Sequence, residues 1–109
     1  MKLEGKKVLV VGAGKSGIAA SELLLDKKIE TVLYDGNKDL DVEKLYEKAP
    51  KLEGMPVLLG ELTDEQLRAF DVAVLSPGVP TDLPVVERMR AQNVCIWGEI
   101  ELAYSFAKG

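Results

Sequence analysis

Short apolar runs rich in β-branched residues alternate along this chain with longer amphipathic stretches. The apolar runs predict strands, at Lys7–Val11, Thr31–Tyr34, Pro56–Leu59, Val72–Leu75 and Val94–Trp97. The amphipathic stretches predict helices, at Ser16–Lys27, Asp41–Ala49, Thr63–Phe70, Pro84–Gln92 and Gly98–Ala107. A Thr-x-x-Gln capping box marks the start of the third helix.

This alternation predicts one α/β domain over residues 1–109, with a Rossmann-like, five-stranded parallel sheet covered by helices on both faces. Right-handed crossovers favour the strand order 3-2-1-4-5. In that order the carboxyl ends of the first, second and fourth strands meet at one crevice. The loops expected there are Gly12–Gly17, Asp35–Asn37 and Ser76–Pro80.

The first helix has two notable features. Its apolar positions Ala20, Leu23 and Leu24 are expected to face the sheet. It also lacks the usual glycine at its carboxyl end. A left-handed Lys28 there would cost about 1–2 kcal/mol.

The chemistry of the chain centres on the turn from Gly12 to Gly17, which has the pattern Gly-x-Gly-x-x-Gly between an apolar strand and a helix. Gly12 permits the tight turn, Gly14 lets backbone approach a phosphate, and Gly17 lets helix and strand pack closely. The N–H groups of Lys15, Ser16 and Gly17 would face a diphosphate. The Ser16 hydroxyl and the Lys15 ammonium add two further donors.

The turn has two other interpretations. Its Gly-Lys-Ser string suggests an ATP-binding P-loop, but the pattern requires a glycine where Leu9 stands inside the strand. The turn could also serve only to reverse the chain.

The second candidate loop is Asp35-Gly36-Asn37. Asp35 stands 18 residues after Gly17, where the dinucleotide pattern places an acid that accepts ribose hydroxyls. Its carboxylate could equally accept the N3–H of a uracil ring, or simply stabilise its own turn. Gly36 and Asn37 suit a turn, and Asn37 can offer amide hydrogen bonds.

The third candidate loop is Ser76-Pro77-Gly78, which offers a hydroxyl and backbone N–H groups on a rigid segment. A plain turn between strand and helix is the alternative. Glu99 and Glu101 are expected to offset the dipole of the final helix. Trp97 is expected to pack in the core.

Composition narrows the function classes. The net charge is −4 and there is no basic cluster, which argues against nucleic-acid binding. The chain has no histidine, which argues against common metal sites. No apolar run is long enough to span a membrane. Cys95 is the one cysteine and is expected to be a buried structural thiol, in keeping with a reducing cytoplasm.

With these motifs in order, the chain resembles the N-terminal domain of the Mur ligases of peptidoglycan synthesis, and among them the D-glutamate-adding ligases. The resemblance rests on the glycine turn, on Asp35, and on two more specific segments, Ser76-Pro77-Gly78-Val79-Pro80 and Gly98-Glu99-Ile100-Glu101-Leu102. It covers the whole chain.

The resemblance implies a domain that binds UDP-N-acetylmuramoyl-L-alanine and is inactive alone. Gly14, Lys15 and Ser16 would meet the diphosphate, Asp35, Gly36 and Asn37 would surround the uracil, and Ser76, Pro77 and Gly78 would line the site. At the positions of Gly36 and Asn37, members of the family often have a residue with a hydroxyl group followed by a basic residue. ATP and magnesium would belong to a central ATPase domain, which a C-terminal domain follows. An NAD(P)-binding module and a scaffold without a ligand are the rival interpretations.

Overall fold

The apolar runs form the strands of the molecule, as shown by a computed structural model that describes residues 3, 5–77, 79–80, 82–98 and 100–102. The strands are β1 (Lys7–Val11), β2 (Glu30–Asp35), β3 (Val57–Leu59), β4 (Val72–Leu75) and β5 (Cys95–Trp97). The helices are α1 (Lys15–Asp26), α2 (Val42–Lys48), α3 (Asp64–Arg68) and α4 (Pro84–Ala91), with a 3₁₀ turn at Pro50–Leu52.

The strands pair in parallel in the order β3-β2-β1-β4-β5, which confirms the predicted fold class and strand order. The central strand β1 pairs on both sides, so that Val11 is level with Tyr34 of β2 and with Leu75 of β4. The carboxyl ends of these three strands therefore lie side by side at one edge of the sheet.

The core has a layer on each face of the sheet. On one face Val8 and Val72 pack with Leu24 of α1. On the other face Leu9 and Ala73 pack with residues of α3 and α4, namely Leu67, Val86 and Met89. Val8, Leu9 and Val10 have no exposed surface, because a central parallel strand is covered on both faces.

The buried face of α1 agrees in part with the prediction. Leu24 is buried and the half-buried Ala20 packs against the same core cluster, as predicted. The other buried residues are Gly17 and Ser21, whereas Leu23 is half-buried. Small residues occupy this face because the start of the helix lies close against the glycine turn. The Ser21 hydroxyl donates to the Gly17 carbonyl oxygen at 2.8 Å, so its burial leaves no polar atom unsatisfied.

The prediction for Cys95 was wrong, because the residue is exposed. It begins β5, the last strand in the order of the sheet, and an edge strand is covered less completely than a central one. Trp97, two residues on, packs against the core as expected, although it remains half-exposed.

The helix ends follow local rules. The capping box before α3 is confirmed, since the Thr63 hydroxyl accepts from the Gln66 N–H at 3.1 Å and the Gln66 side chain accepts from the Thr63 N–H at 2.8 Å. Residues 100–102 are helical, and Glu101 accepts from the Gly98 N–H at 3.1 Å. Glu99 and the rest of the predicted final helix, residues 103–107, lie outside the described residues.

None of the helices in the described ranges has the length and apolar character that crossing a bilayer requires.

Lys28 has a left-handed conformation, with φ of 60°, at the helix end that lacks a glycine. Its N–H donates to the Leu25 carbonyl and the Ile29 N–H to the Leu24 carbonyl, at 2.9 and 3.0 Å, which is a Schellman ending. Asn93 ends α4 in the same conformation, with φ of 64°. Asparagine tolerates this conformation better than lysine.

We expect Lys28→Gly to stabilise the domain by about 1 kcal/mol and to raise its melting temperature by about 4 °C, because glycine has no Cβ to clash. Thermal unfolding followed by circular dichroism measures the change. Lys28→Ala keeps the strain and removes only the long side chain, so it should not reproduce the gain. A Lys28→Gly variant that melts at or below the temperature of the unchanged chain would refute the expectation.

Candidate functional site

Asp35 joins the first two candidate loops. Its Oδ2 atom accepts from the Ala13 N–H at 2.9 Å and its Oδ1 atom from the Asn37 N–H at 2.8 Å. Beside it, the Gly12 N–H donates to the Tyr34 carbonyl oxygen at 2.7 Å. The carboxylate therefore fixes the glycine turn against the end of β2, a role that the sequence analysis did not assign to it.

Gly12 and Gly17 are required by the packing of the turn. A Cβ atom on Gly17 would lie 1.7 Å from the Gly12 carbonyl oxygen, which no side chain can tolerate. Gly12 has φ of +103°, and a Cβ there would lie 3.0 Å from the Ser76 Oγ atom and 3.3 Å from Val79. These two glycines set how closely β1, α1 and the loop after β4 approach each other.

Gly14 differs from both. It has φ of −76°, and no heavy atom of the described residues beyond its chain neighbours lies within 4 Å of the position of an added Cβ. Its lack of a side chain therefore serves no packing purpose that the described contacts reveal. The space beside it is open to a ligand.

The amino end of α1 carries unused donors. The first helical hydrogen bond runs from the Ile18 N–H to the Gly14 carbonyl at 2.9 Å, so the N–H groups of Lys15, Ser16 and Gly17 precede the helical ladder. Within the described part of the chain these three N–H groups have no acceptor. Gly14, at the cap, brings no side chain to them.

Charge at this helix end is also unlike that of the other helices. The first turn of α1 contains the exposed Lys15 and no acid. The first turns of α2, α3 and α4 contain acidic residues, namely Glu43, then Asp64 and Glu65, then Glu87. The positive end of the α1 dipole is therefore not neutralised by its own first turn, an arrangement that favours an anion.

The loop after β4 lies directly against the glycine turn. The Ser76 N–H donates to the Val11 carbonyl at 3.1 Å, and the Ser76 hydroxyl lies 3.4 Å from the Gly12 carbonyl oxygen. Ser76, Pro77 and the half-buried Ser16 line one small void. Gly78, also a predicted site residue, lies outside the described residues.

Two larger cavities flank this junction. The first, here the β2–α4 pocket, has a volume of about 340 Å³ and opens between the end of β2 and α4. Its walls include Tyr34, Asp35, Glu61, Leu62, Val85 and Arg88. Gly12 and Gly36 also line it, whereas Asn37 is exposed and stabilises its own turn by accepting from the Asp39 N–H at 3.0 Å.

The second cavity, here the β5 groove, has a volume of about 820 Å³ and is mainly apolar. Its lining includes Leu75, Ser76, Pro77, Val79, Trp97 and Ile100. Val79 lines both cavities, so they meet beside the loop after β4. The predicted site residues are thus divided between two adjoining cavities and the amino end of α1.

A fourth segment, residues 60–62, completes the β2–α4 pocket and was missed by the sequence analysis. The Gly60 N–H donates to the Asp35 carbonyl at 3.0 Å, and the Tyr34 hydroxyl donates to the Gly60 carbonyl. Arg88 holds the other end by donating to the Leu62 carbonyl at 2.6 Å. The signal was available, because the loop after the third parallel strand must emerge at the same edge as the others.

The comparison with known families decides what kind of domain this is. The family described as "Mur ligase MurD-like, N-terminal domain" matches residues 6–98. The chain belongs to this family. The resemblance drawn from the glycine turn, the Ser-Pro-Gly loop and the Gly-Glu-Ile-Glu-Leu segment is confirmed.

Curated relatives of this MurD-like domain agree over its whole length. The UDP-N-acetylmuramoylalanine--D-glutamate ligase of Lachnoclostridium phytofermentans is 50% identical over 109 residues, which is 100% of this chain and 24% of that protein. The ligase of the same name from Thermoanaerobacter pseudethanolicus is 41% identical over 108 residues, again 24% of its length. The chain therefore spans about a quarter of these relatives.

Solved structures agree on the fold. A pseudomurein peptide ligase type C from Methanothermus fervidus aligns with a TM-score of 0.71 at 19% identity, covering 93% of this chain and 20% of that one. A minor L-lactate dehydrogenase from Enterococcus mundtii aligns with a TM-score of 0.52 at 20% identity, covering 92% of this chain and 40% of that one. Such distant likenesses show the fold alone.

The glycines of this MurD-like domain allow a direct test of the turn. We expect Gly17→Ala to destabilise it by about 3 kcal/mol or more, because the backbone of Gly12 cannot move aside cheaply. Gly14→Ala is the matched control and should leave the free energy of unfolding within about 0.5 kcal/mol of the original. Urea unfolding measures both. Equal losses in the two variants would contradict the assignment of separate roles.

Tyr34 provides a test based on pH. Burial raises the pKa of its phenol, and the charges of Asp35 and Glu61 raise it further, against a lowering effect of Arg88. The folded state therefore holds the phenolic proton more tightly than the unfolded state. The resulting stability is complete below pH of about 10 and is lost as the pH rises through the raised pKa.

We therefore expect the free energy of unfolding to fall more steeply above pH of about 10 in the unchanged chain than in Tyr34→Phe. Urea unfolding from pH 8 to about 11 measures the two slopes. Tyr46→Phe is a control for losing a hydroxyl bond to backbone, since the Tyr46 hydroxyl donates to the Met55 carbonyl at 2.7 Å. Parallel profiles for Tyr34→Phe and the unchanged chain would rule the effect out.

Proposed function

We propose that this domain binds UDP-N-acetylmuramoyl-L-alanine and holds it for an ATP-dependent ligase that adds D-glutamate in cytoplasmic peptidoglycan synthesis. The observation that carries the proposal is the family match over residues 6–98. The proposal is supported by an identity of up to 50%, over the whole of this chain, to ligases named for this nucleotide sugar and for D-glutamate.

The geometry is suited to an elongated anionic ligand. A diphosphate at the amino end of α1 would accept hydrogen bonds from the N–H groups of Lys15, Ser16 and Gly17. The open side of Gly14 would let the phosphates approach the backbone. The Lys15 ammonium adds a mobile positive charge.

The two adjoining cavities suit the two ends of such a ligand. In this proposal the nucleoside enters the β2–α4 pocket beside Asp35 and Gly36. The sugar and its L-alanine extend past Ser76 and Pro77 into the β5 groove. The shared wall at Val79 supports this arrangement, because the two cavities adjoin beside the loop after β4.

The domain would position its ligand, and the chemistry would lie elsewhere in the parent protein. The Gly-Lys-Ser string in the turn does not form an ATP loop, because Leu9 occupies the required glycine position and is fully buried in β1. We infer that ATP and magnesium bind in other parts of the parent ligase, because the curated relatives are about four times as long as this chain. The domain alone would then bind without catalysing.

The rival function is dinucleotide binding, which the same turn and Asp35 would permit. Titration of the ¹⁵N-labelled chain separates the two by NMR. We expect UDP-N-acetylmuramoyl-L-alanine to shift the amides of Lys15, Ser16 and Gly17 in a saturable manner, and NADH to shift them much less. Shifts caused by NADH alone would overturn the proposal.

Gly14→Val tests whether the glycine turn holds the diphosphate in this titration. Its side chain would fill the open space beside the α1 donors without touching the described core. We expect the affinity for the UDP-sugar to fall about tenfold or more, with the folded spectrum retained. Unchanged affinity in this variant would mean that the turn does not hold the diphosphate.

A further inference from the structure

Glu61 lies on the wall of the β2–α4 pocket, on a backbone segment that is held at both ends. It lies in the 60–62 loop, whose two ends are fixed by the Gly60 N–H bond to the Asp35 carbonyl and by the Arg88 bond to the Leu62 carbonyl. The backbone that carries Glu61 is thus held on both sides. Its side chain lines the pocket and is otherwise exposed.

The other charged groups of this pocket are already engaged. Each carboxylate oxygen of Asp35 accepts a backbone N–H, from Ala13 and from Asn37. The Arg88 guanidinium donates to the Asp64 carboxylate at 2.9 and 3.1 Å, in addition to its bond to the Leu62 carbonyl.

Glu61 is different, because within the described part of the chain its carboxylate has no hydrogen bond and no ion pair. Its charge nevertheless reaches the pocket wall, since it contributes, after burial and Asp35, to the raised pKa of Tyr34. The pocket therefore presents to an entering ligand a whole carboxylate that has no partner among the described residues. An anionic carboxylate accepts hydrogen bonds and donates none.

We propose that Glu61 determines which nucleoside the β2–α4 pocket accepts, by accepting a hydrogen bond from an N–H of the base or an O–H of the ribose. The proposal rests on the function proposed above, in which a diphosphate binds at α1 and directs a nucleoside into this pocket. Asp35 lines the same pocket and also holds the glycine turn, and Glu61 adds a second carboxylate to the pocket wall.

The test compares Glu61→Gln with Glu65→Gln, using UDP as the probe. Glutamine has almost the shape of glutamate but is a weaker, uncharged acceptor. Glu65 lies exposed in the first turn of α3 and is the matched control for losing one acidic charge. NMR titration gives the dissociation constants, and the spectra verify that each variant is folded.

We expect Glu61→Gln to weaken UDP binding about fivefold, within the range of a lost charge-assisted hydrogen bond. Glu65→Gln should leave it within about twofold. The sign is informative, because removing a negative charge without a hydrogen bond would instead favour an anionic ligand. UDP binding that is equal or tighter in Glu61→Gln would overturn the proposal.

Three analogues locate the donor. 2′-Deoxy-UDP and 3′-deoxy-UDP each lack one ribose hydroxyl, and N3-methyl-UDP lacks the N–H of the base. We expect the effect of Glu61→Gln to disappear for one of them, as in a double-mutant cycle. Equal weakening for UDP and all three analogues would contradict direct recognition by Glu61.

The same experiment separates this proposal from the function on which it rests. Binding of UDP to the unchanged chain with no effect of Glu61→Gln would refute only the role of Glu61. Absence of any binding of UDP or the UDP-sugar to the unchanged chain would refute the proposed function, and the role of Glu61 with it.

Discussion

The arrangement of this domain depends on the closeness of α1 to the turn that precedes it. An added Cβ atom at Gly17 would lie only 1.7 Å from the Gly12 carbonyl oxygen, so the helix can start here only with glycine at that position. The close contact between α1 and the turn places the N–H groups that precede the helical ladder beside the carboxyl ends of β1 and β4. The same constraint explains why the buried face of α1 continues with the small residue Ser21 rather than with a large apolar one.

Asp35 links the glycine turn to the loop after β2. Its bonds to the N–H groups of Ala13 and Asn37 join the glycine turn to the end of β2. The Gly60 N–H bond to the Asp35 carbonyl then brings in the loop after β3. Loops that follow three neighbouring strands thus form one connected rim. A rim held by backbone hydrogen bonds keeps its shape before a ligand arrives, which lowers the entropic cost of binding.

Sequence reasoning succeeded where the signal was local or periodic. The capping box of Thr63 and Gln66 depends on neighbouring residues only and was predicted. The missing glycine after α1 likewise indicated that Lys28 would bear the cost of a left-handed conformation if it adopted one, as it does. The strand order followed from the alternation of elements and from chirality. Cys95 was predicted wrongly because burial depends on the place of its strand in the sheet, and an apolar run does not reveal that place.

In the candidate site, too, local features could be predicted from the sequence and long-range contacts could not. The sequence identified Asp35 as important, yet its bond to the Ala13 N–H joins residues 22 positions apart and has no local signature. Glu61 was missed because a lone acid after a short strand resembles any surface residue. It stands out only in the structure, where its carboxylate lines the pocket and has no partner among the described residues, while Arg88 is paired with Asp64.

Electrostatics then constrain how an anionic ligand can be oriented. The chain carries a net charge of −4, so its overall charge does not attract a diphosphate. The short-range donors at the amino end of α1, with Lys15, favour negative charge there. In the β2–α4 pocket, Asp35 and Glu61 oppose it, and Arg88 is already paired with Asp64. Under the proposed function, a nucleoside diphosphate would therefore be favoured in one orientation, with its phosphates at the helix and its neutral ring between the acids. The acids that weaken attraction overall would then be the groups that make this orientation specific.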